Sequence, residues 1–180
     1  NPIAHSEGGV ARLYPKGAVV LDMLSALVGR DEYNRAIKYY LLKHPYGVVD
    51  SEDLLIAFHE SLGYSLDWFW NQWIYRGGEP SYNISYIAYP DSTIFSVSQV
   101  HSMSELVGLF KMPIIFEVQY TDGTFINKKV WIEDEHTRVV IPNQDDREIS
   151  YLLFDPNNTV LKIVHFEKSL KMLSNQFLNS

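Results

Sequence analysis

The sequence predicts an α+β chain: a helical bundle first, a small antiparallel β-sandwich second, and a C-terminal helix last. Three observations carry this. Apolar residues recur at three- and four-residue steps up to about Gly78, then at two-residue steps after Pro80. Asp122-Gly123 sits between two alternating runs and reads as a two-residue hairpin turn. Helical spacing returns from Glu167 through Leu170, Met172, Leu173 and Phe177. The expected boundaries are residues 1–79, 80–166 and 167–180.

The helices follow in order. Leu13-Tyr14-Pro15-Lys16-Gly17-Ala18 opens the first, because proline fits the first turn of a helix, where its missing N–H costs nothing. Val20, Leu21, Leu24, Leu27 and Val28 form its apolar stripe, and Gly29 stops it. Asp31 is the expected N-cap of the second helix, which buries Tyr33, Ile37, Tyr40 and Leu41 and ends at His44-Pro45. Ser51 caps the third, with Glu52 and Asp53 at the positive end of its dipole and Gly63 as its stop. Its apolar face is Leu54, Leu55, Phe58 and Leu62. Ser65 opens a short aromatic helix carrying Leu66, Trp68, Phe69, Trp70, Trp73 and Ile74, ended by Gly77-Gly78.

The strands are short and evenly spaced: Tyr82–Tyr86, Ile94–Val97, Ile114–Tyr120, Phe125–Ile132, Thr137–Ile141, Tyr151–Phe154 and Val160–Val164. Such spacing, with Gly, Asp and Asn turns between, suits a sandwich. The two halves meet at Gly77-Gly78-Glu79-Pro80 with almost no linker, which favours close packing over free hinging.

Composition narrows the function. A net charge of -7 over 180 residues disfavours nucleic acid, whose phosphates need a basic surface. With no cysteine, disulfides, thiolate metal sites and a cysteine nucleophile are excluded. No apolar run reaches the roughly 20 residues that span a bilayer, and no signal peptide is visible. The chain opens on Asn1 rather than Met, and ends in helical spacing, so a fragment of a longer protein is expected.

Several motifs resemble chemistry and fall short of it. His59-Glu60-Ser61-Leu62-Gly63 begins like the zinc helix His-Glu-x-x-His, but the second ligand position holds Gly63. His5 and Glu7 lie in a polar start and read as a frayed terminus. His101, His136 and His165 form no recognisable ligand set. There is no Gly-x-Ser-x-Gly elbow, and Gly8-Gly9 and Gly77-Gly78 are too short for a phosphate loop. Glu133-Asp134-Glu135 and Asp145-Asp146 read as solvated turns, because consecutive strand residues face opposite ways. Trp68, Phe69, Trp70, Trp73 and Tyr75 read as core or seam before they read as a binding platform. Taken alone, Tyr14 is a packing residue.

The order of these segments alters that. Tyr14-Pro15-Lys16-Gly17-Ala18, Met23-Leu24, Gly29-Arg30-Asp31-Glu32-Tyr33 and Lys38-Tyr39-Tyr40 resemble, in sequence, the gluzincin aminopeptidases, the aminopeptidase N and leukotriene hydrolase group. Asp53-Leu54, Asp67-Trp68-Phe69-Trp70, Gln72-Trp73-Ile74-Tyr75 and Gly77-Gly78-Glu79-Pro80 continue the resemblance, which covers roughly residues 13 to 80. It implies that the helices are the late part of a thermolysin-like catalytic domain with a β-sandwich after it. It implies that Tyr14 is the catalytic tyrosine, donating a hydrogen bond to the oxyanion formed when zinc-bound water attacks a peptide carbonyl. Pro15 stands where many relatives carry Glu.

The family's zinc ligands, general base and Gly-x-Met-x-Asn motif all precede this tyrosine and are absent here. The resemblance therefore implies a fragment of a zinc-dependent metalloaminopeptidase that hydrolyses N-terminal residues from peptides. The fragment itself would hold no zinc, lack activity and self-associate through apolar helical surface left uncovered. The alternative is a non-catalytic sandwich that binds or scaffolds, with a helical cap. An upstream His-Glu-x-x-His in the coding sequence discriminates the two.

Overall fold

The structure is a computed structural model that describes residue 3, residues 10–143 and residues 147–179. His5, Glu7, Gly8-Gly9 and Asp145-Asp146 lie outside the described residues. Two compact units emerge. One comprises the residues up to Gly78 together with Met103–Gly108; the other comprises Glu79–Ser102 and the residues from Leu109 on.

The first unit holds α1 (Val10–Val28), α2 (Arg30–Lys43), α3 (Ser51–Leu62) and α4 (Asp67–Trp70), which runs on as a π-helical turn over Asn71–Tyr75. Its core is aromatic. Phe58, Phe69, Trp70 and Trp73 are fully buried together with Met23, Leu24 and Leu66. Their rings meet at tilted angles, with Phe58 and Trp70 6.0 Å apart and Phe69 and Trp73 6.4 Å apart, within the centroid range of favourable aromatic pairs. The Trp70 indole N–H donates to the carbonyl of Ser51 at 2.8 Å, tying α4 to the start of α3.

Five local expectations need correction. Pro15 lies inside α1 rather than in its first turn, since the helix already runs from Val10. Leu21 is 37% exposed while Met23 is buried: the buried stripe is Val20, Met23 and Leu24, one position round from the expected face. Gly29, in a left-handed backbone (φ 96), and not Asp31, is the N-cap of α2, and Leu41 on that helix is 62% exposed. Asp50, not Ser51, caps α3. The Asp50 carboxylate accepts from the N–H groups of Glu52 and Asp53, and Asp53 accepts from the N–H of Asp50, so three backbone donors at the helix start are satisfied, two of them reciprocally. The reciprocal bond with Asp53 favours Asp50 over Ser51, which is otherwise an equally good cap. Gly63 does terminate α3 in a left-handed conformation (φ 80).

The second unit is a sandwich of a four-stranded sheet, ordered β5-β2-β1-β7, and a three-stranded sheet, ordered β4-β3-β6. The strands are β1 (Ser81–Ala88), β2 (Ser92–Gln99), β3 (Met112–Tyr120), β4 (Phe125–Ile132), β5 (His136–Pro142), β6 (Ile149–Phe154) and β7 (Ile163–Phe166). Tyr82 and Phe95 from one sheet interleave with Phe116 and Phe154 from the other, at centroid distances of 5.2 to 5.3 Å. Buried Gln99 bridges the exit of β2 to the entry of β3, accepting from the N–H of Phe110 at 2.9 Å and donating to its carbonyl at 2.8 Å.

Here too the structure departs in detail. Four of the strand pairings are antiparallel, but β1 and β7 pair in parallel, Ser81 against Ile163. The last strand begins three residues later than its apolar run, because residues 155–162 are held in a turn. Asp155, itself left-handed (φ 51), is buried at the centre of that turn. It accepts from the Thr159 N–H at 3.0 Å, the Thr159 hydroxyl at 2.6 Å, the Val160 N–H at 3.0 Å and the Lys162 ammonium. The Asp122-Gly123 hairpin closes with three loop residues rather than two: Tyr120 donates to Thr124, and Gly123 takes φ 84. That is the turn followed by a left-handed glycine seen in three-residue hairpins. A final helix, α5 (Leu170–Leu178), is capped by the Ser169 hydroxyl and joined to β6 by Asn175, which donates to the Ser150 carbonyl.

Candidate functional site

Tyr14 stands on the second turn of α1 with 71% of its surface exposed. Helical spacing puts Tyr14, Ala18 and Leu21 on one side of α1, and Lys16, Val20, Met23 and Leu24 on the other. The first set is open to solvent and the second carries the buried stripe. Among the described residues nothing hydrogen-bonds the Tyr14 hydroxyl, a group that can donate one hydrogen bond.

The local backbone is unusual. Pro15 has no N–H to offer the carbonyl of residue 11, which removes one rung of the helical ladder at the tyrosine. Lys16 instead makes a long-range bond, its ammonium donating to the carbonyl of Gly78 at 3.2 Å. A Cβ placed on Gly17 would meet nothing within 4 Å, so that glycine is not required by crowding from the described residues.

A shallow depression of about 480 Å³ lies elsewhere in this unit, lined by Glu52, Leu55, Asp67, Asn71 and Tyr75. It presents carboxylates, an amide and a phenol, without a nucleophile beside a base, and Tyr14 is not among its walls.

The His59-Glu60 pair has a structural job. Glu60 accepts from the Lys43 ammonium and from the Tyr39 hydroxyl at 3.1 Å. The hydrogen bond from Lys43 holds the Glu60 carboxyl below its ordinary range, and the same bond raises the lysine. Gly63 donates to the His59 carbonyl at 2.8 Å as the helix ends. Among the described residues no three or more His, Asp or Glu side chains converge, so these residues do not fit a zinc ion. The aromatic cluster is core: Phe69, Trp70 and Trp73 are buried and only Tyr75 stands out at 42% exposure.

In the second unit the histidines are dispersed. The His136 ring nitrogen lies 3.0 Å from the Ser98 hydroxyl, the His101 ring packs edge-on against Phe110 at 5.1 Å, and His165 is exposed on β7. Glu133 pairs with Lys111 at 2.8 Å, on a solvated rim. No helix among the described residues is long and apolar enough to cross a membrane.

Two side-chain systems had no signal in the sequence, the Lys16–Gly78 link and the Asp155–Lys162 pair. The first depends on segments 62 positions apart, the second on the conformation of the turn that spans residues 155–162.

Comparison with known proteins bears on the first unit most directly. The Peptidase family M1 domain matches residues 10–73. "Probable aminopeptidase 1" of Saccharolobus solfataricus is 28% identical over 149 residues, covering 81% of this chain and 19% of that protein. "Tricorn protease-interacting factor F2" of Thermoplasma volcanium is 33% identical over 67 residues, covering 37% of this chain and 9% of that protein. The crystal structure of Legionella pneumophila aminopeptidase A in complex with aspartic acid superposes with a TM-score of 0.72 over 92% of this chain and 19% of that one. Their sequence identity is 21%, so the likeness is one of fold. The chain thus spans 9 to 19% of the length of these relatives.

Proposed function

We propose that the chain, whose helical residues 10–73 match the M1 peptidase family, works as part of a zinc-dependent metalloaminopeptidase removing N-terminal residues from peptides. The observation that carries this reading is the placement of Tyr14. It is an exposed phenol on the open side of α1, inside the segment that the family description covers.

A phenol in that setting is suited to one task. When water adds to a peptide carbonyl, the oxygen gains negative charge, and an O–H aimed at it stabilises the transition state more than the ground state. Tyr14 is the residue assigned that donation. Lys16 and Gly17 follow it on the same helix. The zinc and the general base belong to residues beyond this chain, and the substrate's N-terminal amine is recognised there too.

It follows that the isolated 180-residue chain is inactive. The test is turnover of a panel of aminoacyl-p-nitroanilides by the purified chain, with added zinc and with a metal-free control. Absence of turnover is expected in both arms; zinc-dependent release of nitroaniline by the chain alone overturns the reading.

A further inference from the structure

We propose that Lys16 is a positioning residue for Tyr14, and that Gly78, backed by Val107, is the fixed point on which it acts. This rests on the assignment of Tyr14 above and adds to it the device that aims the side chain.

The helix is weak where Tyr14 stands. Pro15 withholds one backbone bond, and Gly17, two residues on, adds backbone freedom. Propensity alone therefore does not fix the direction in which residue 14 leaves the helix. Lys16 lies between these two weak positions and reaches 62 positions along the chain to the Gly78 carbonyl, at 3.2 Å. Two residues turn a helix by about 200°, so the tether is on the side opposite Tyr14. Holding the back of the helix resists rotation of its front.

The anchor is itself constrained. Gly78 has φ +82, which L side chains rarely adopt, and a Cβ there would lie 3.0 Å and 3.2 Å from the two Val107 methyl carbons. The backbone conformation favours glycine, and the close Val107 methyl groups leave little room for a side chain. Gly77 donates to the Leu106 carbonyl at 3.0 Å, while Ser104 and Val107 exchange backbone bonds at 2.9 and 3.1 Å. Residues 103–108 belong to the same compact unit as α1. The carbonyl that Lys16 grips is thus backed by a closed loop, and the line runs from Val107 through Gly78 and Lys16 to Tyr14.

The test uses Lys16→Met and Lys16→Arg in the full-length enzyme, each alone and combined with Tyr14→Phe, with aminoacyl-p-nitroanilides as substrates. Methionine keeps the apolar stem and removes the donor; arginine keeps a donor that reaches a carbonyl. Lys16→Met is expected to lower kcat about tenfold with KM within about twofold, because a misaimed donor weakens only the transition state. Lys16→Arg retains most of the rate. In the Tyr14→Phe background Lys16→Met costs nothing further, since there is no hydroxyl left to aim.

In the isolated chain, Lys16→Met should also speed amide exchange at residues 14 and 16–19 without lowering the melting temperature of the unit. An unchanged kcat, or an equal fold-loss in both backgrounds, overturns the positioning role. A silent Tyr14→Phe instead overturns the assignment of Tyr14 itself, and the two failures are told apart by that single variant.

Discussion

Replacing Asp155 with asparagine tests the most concentrated polar site of the sandwich. Asn tolerates the left-handed backbone that Asp155 adopts (φ 51), so the change removes charge while sparing conformation. In the native chain the carboxylate takes bonds from Thr159 twice, from Val160 and from Lys162. The side chains of Lys162 and Asp155 are 6% and 1% exposed. Asp155→Asn therefore leaves a buried ammonium without its anion, a change that costs about 3–5 kcal/mol. Domains are stable by only about 5–15 kcal/mol, so the loss is a large share.

The assay is urea unfolding of the 180-residue chain, resolved by amide exchange at β6 and β7. Adding Lys162→Met to the variant removes the stranded charge and should recover most of the loss. The pH dependence carries a second signature. Burial alone would raise the Asp155 carboxyl, but the hydrogen bonds from Lys162 and Thr159 outweigh it and hold it below the ordinary 3.8. A group lowered on folding stabilises above its unfolded value, and that contribution is lost as pH falls through the folded one. The native chain should lose this increment only in acid, and Asp155→Asn should show a flatter acid limb. A loss below about 1 kcal/mol, or no recovery in the double variant, would refute the account of this turn.

Phe58→Ala removes a fully buried ring that touches Tyr33 and Trp70, and thermal unfolding should report a cost of about 3–5 kcal/mol confined to the helical unit. The isolated chain is also expected to self-associate through apolar side chains such as Leu41, Leu42, Tyr46 and Val48, all of them well exposed. Light scattering across concentrations should show dimers or larger species, and a monodisperse monomer throughout would contradict this.

Much of this fold was legible because it rests on local patterns. The step from three- and four-residue to two-residue spacing marks the passage from helices to strands, and Gly29 and Gly63 stand where the helical path ends. Errors clustered where two local signals competed. Asp50 and Ser51 are both good caps, and only the reciprocal bond with Asp53 decides between them. Pro15 reads as a helix start by preference alone, yet α1 begins five residues earlier. Leu21 and Met23 differ by a partial turn, which residue spacing resolves poorly. The parallel pairing of β7 and the grouping of residues 103–108 with the helices are long-range facts with no local trace. The candidate site follows the same division: Tyr14 is visible only through the order of motifs around it, and the Lys16–Gly78 bond spans 62 positions.

The central claim is that Tyr14 donates to the oxyanion, and Tyr14→Phe in the full-length enzyme tests it most directly. Phenylalanine keeps the ring and deletes the donor. Steady-state hydrolysis of aminoacyl-p-nitroanilides should show kcat reduced about 10²–10³-fold with little change in KM, as expected for a bond made only in the transition state. A kcat equal to that of the native enzyme would remove Tyr14 from the mechanism.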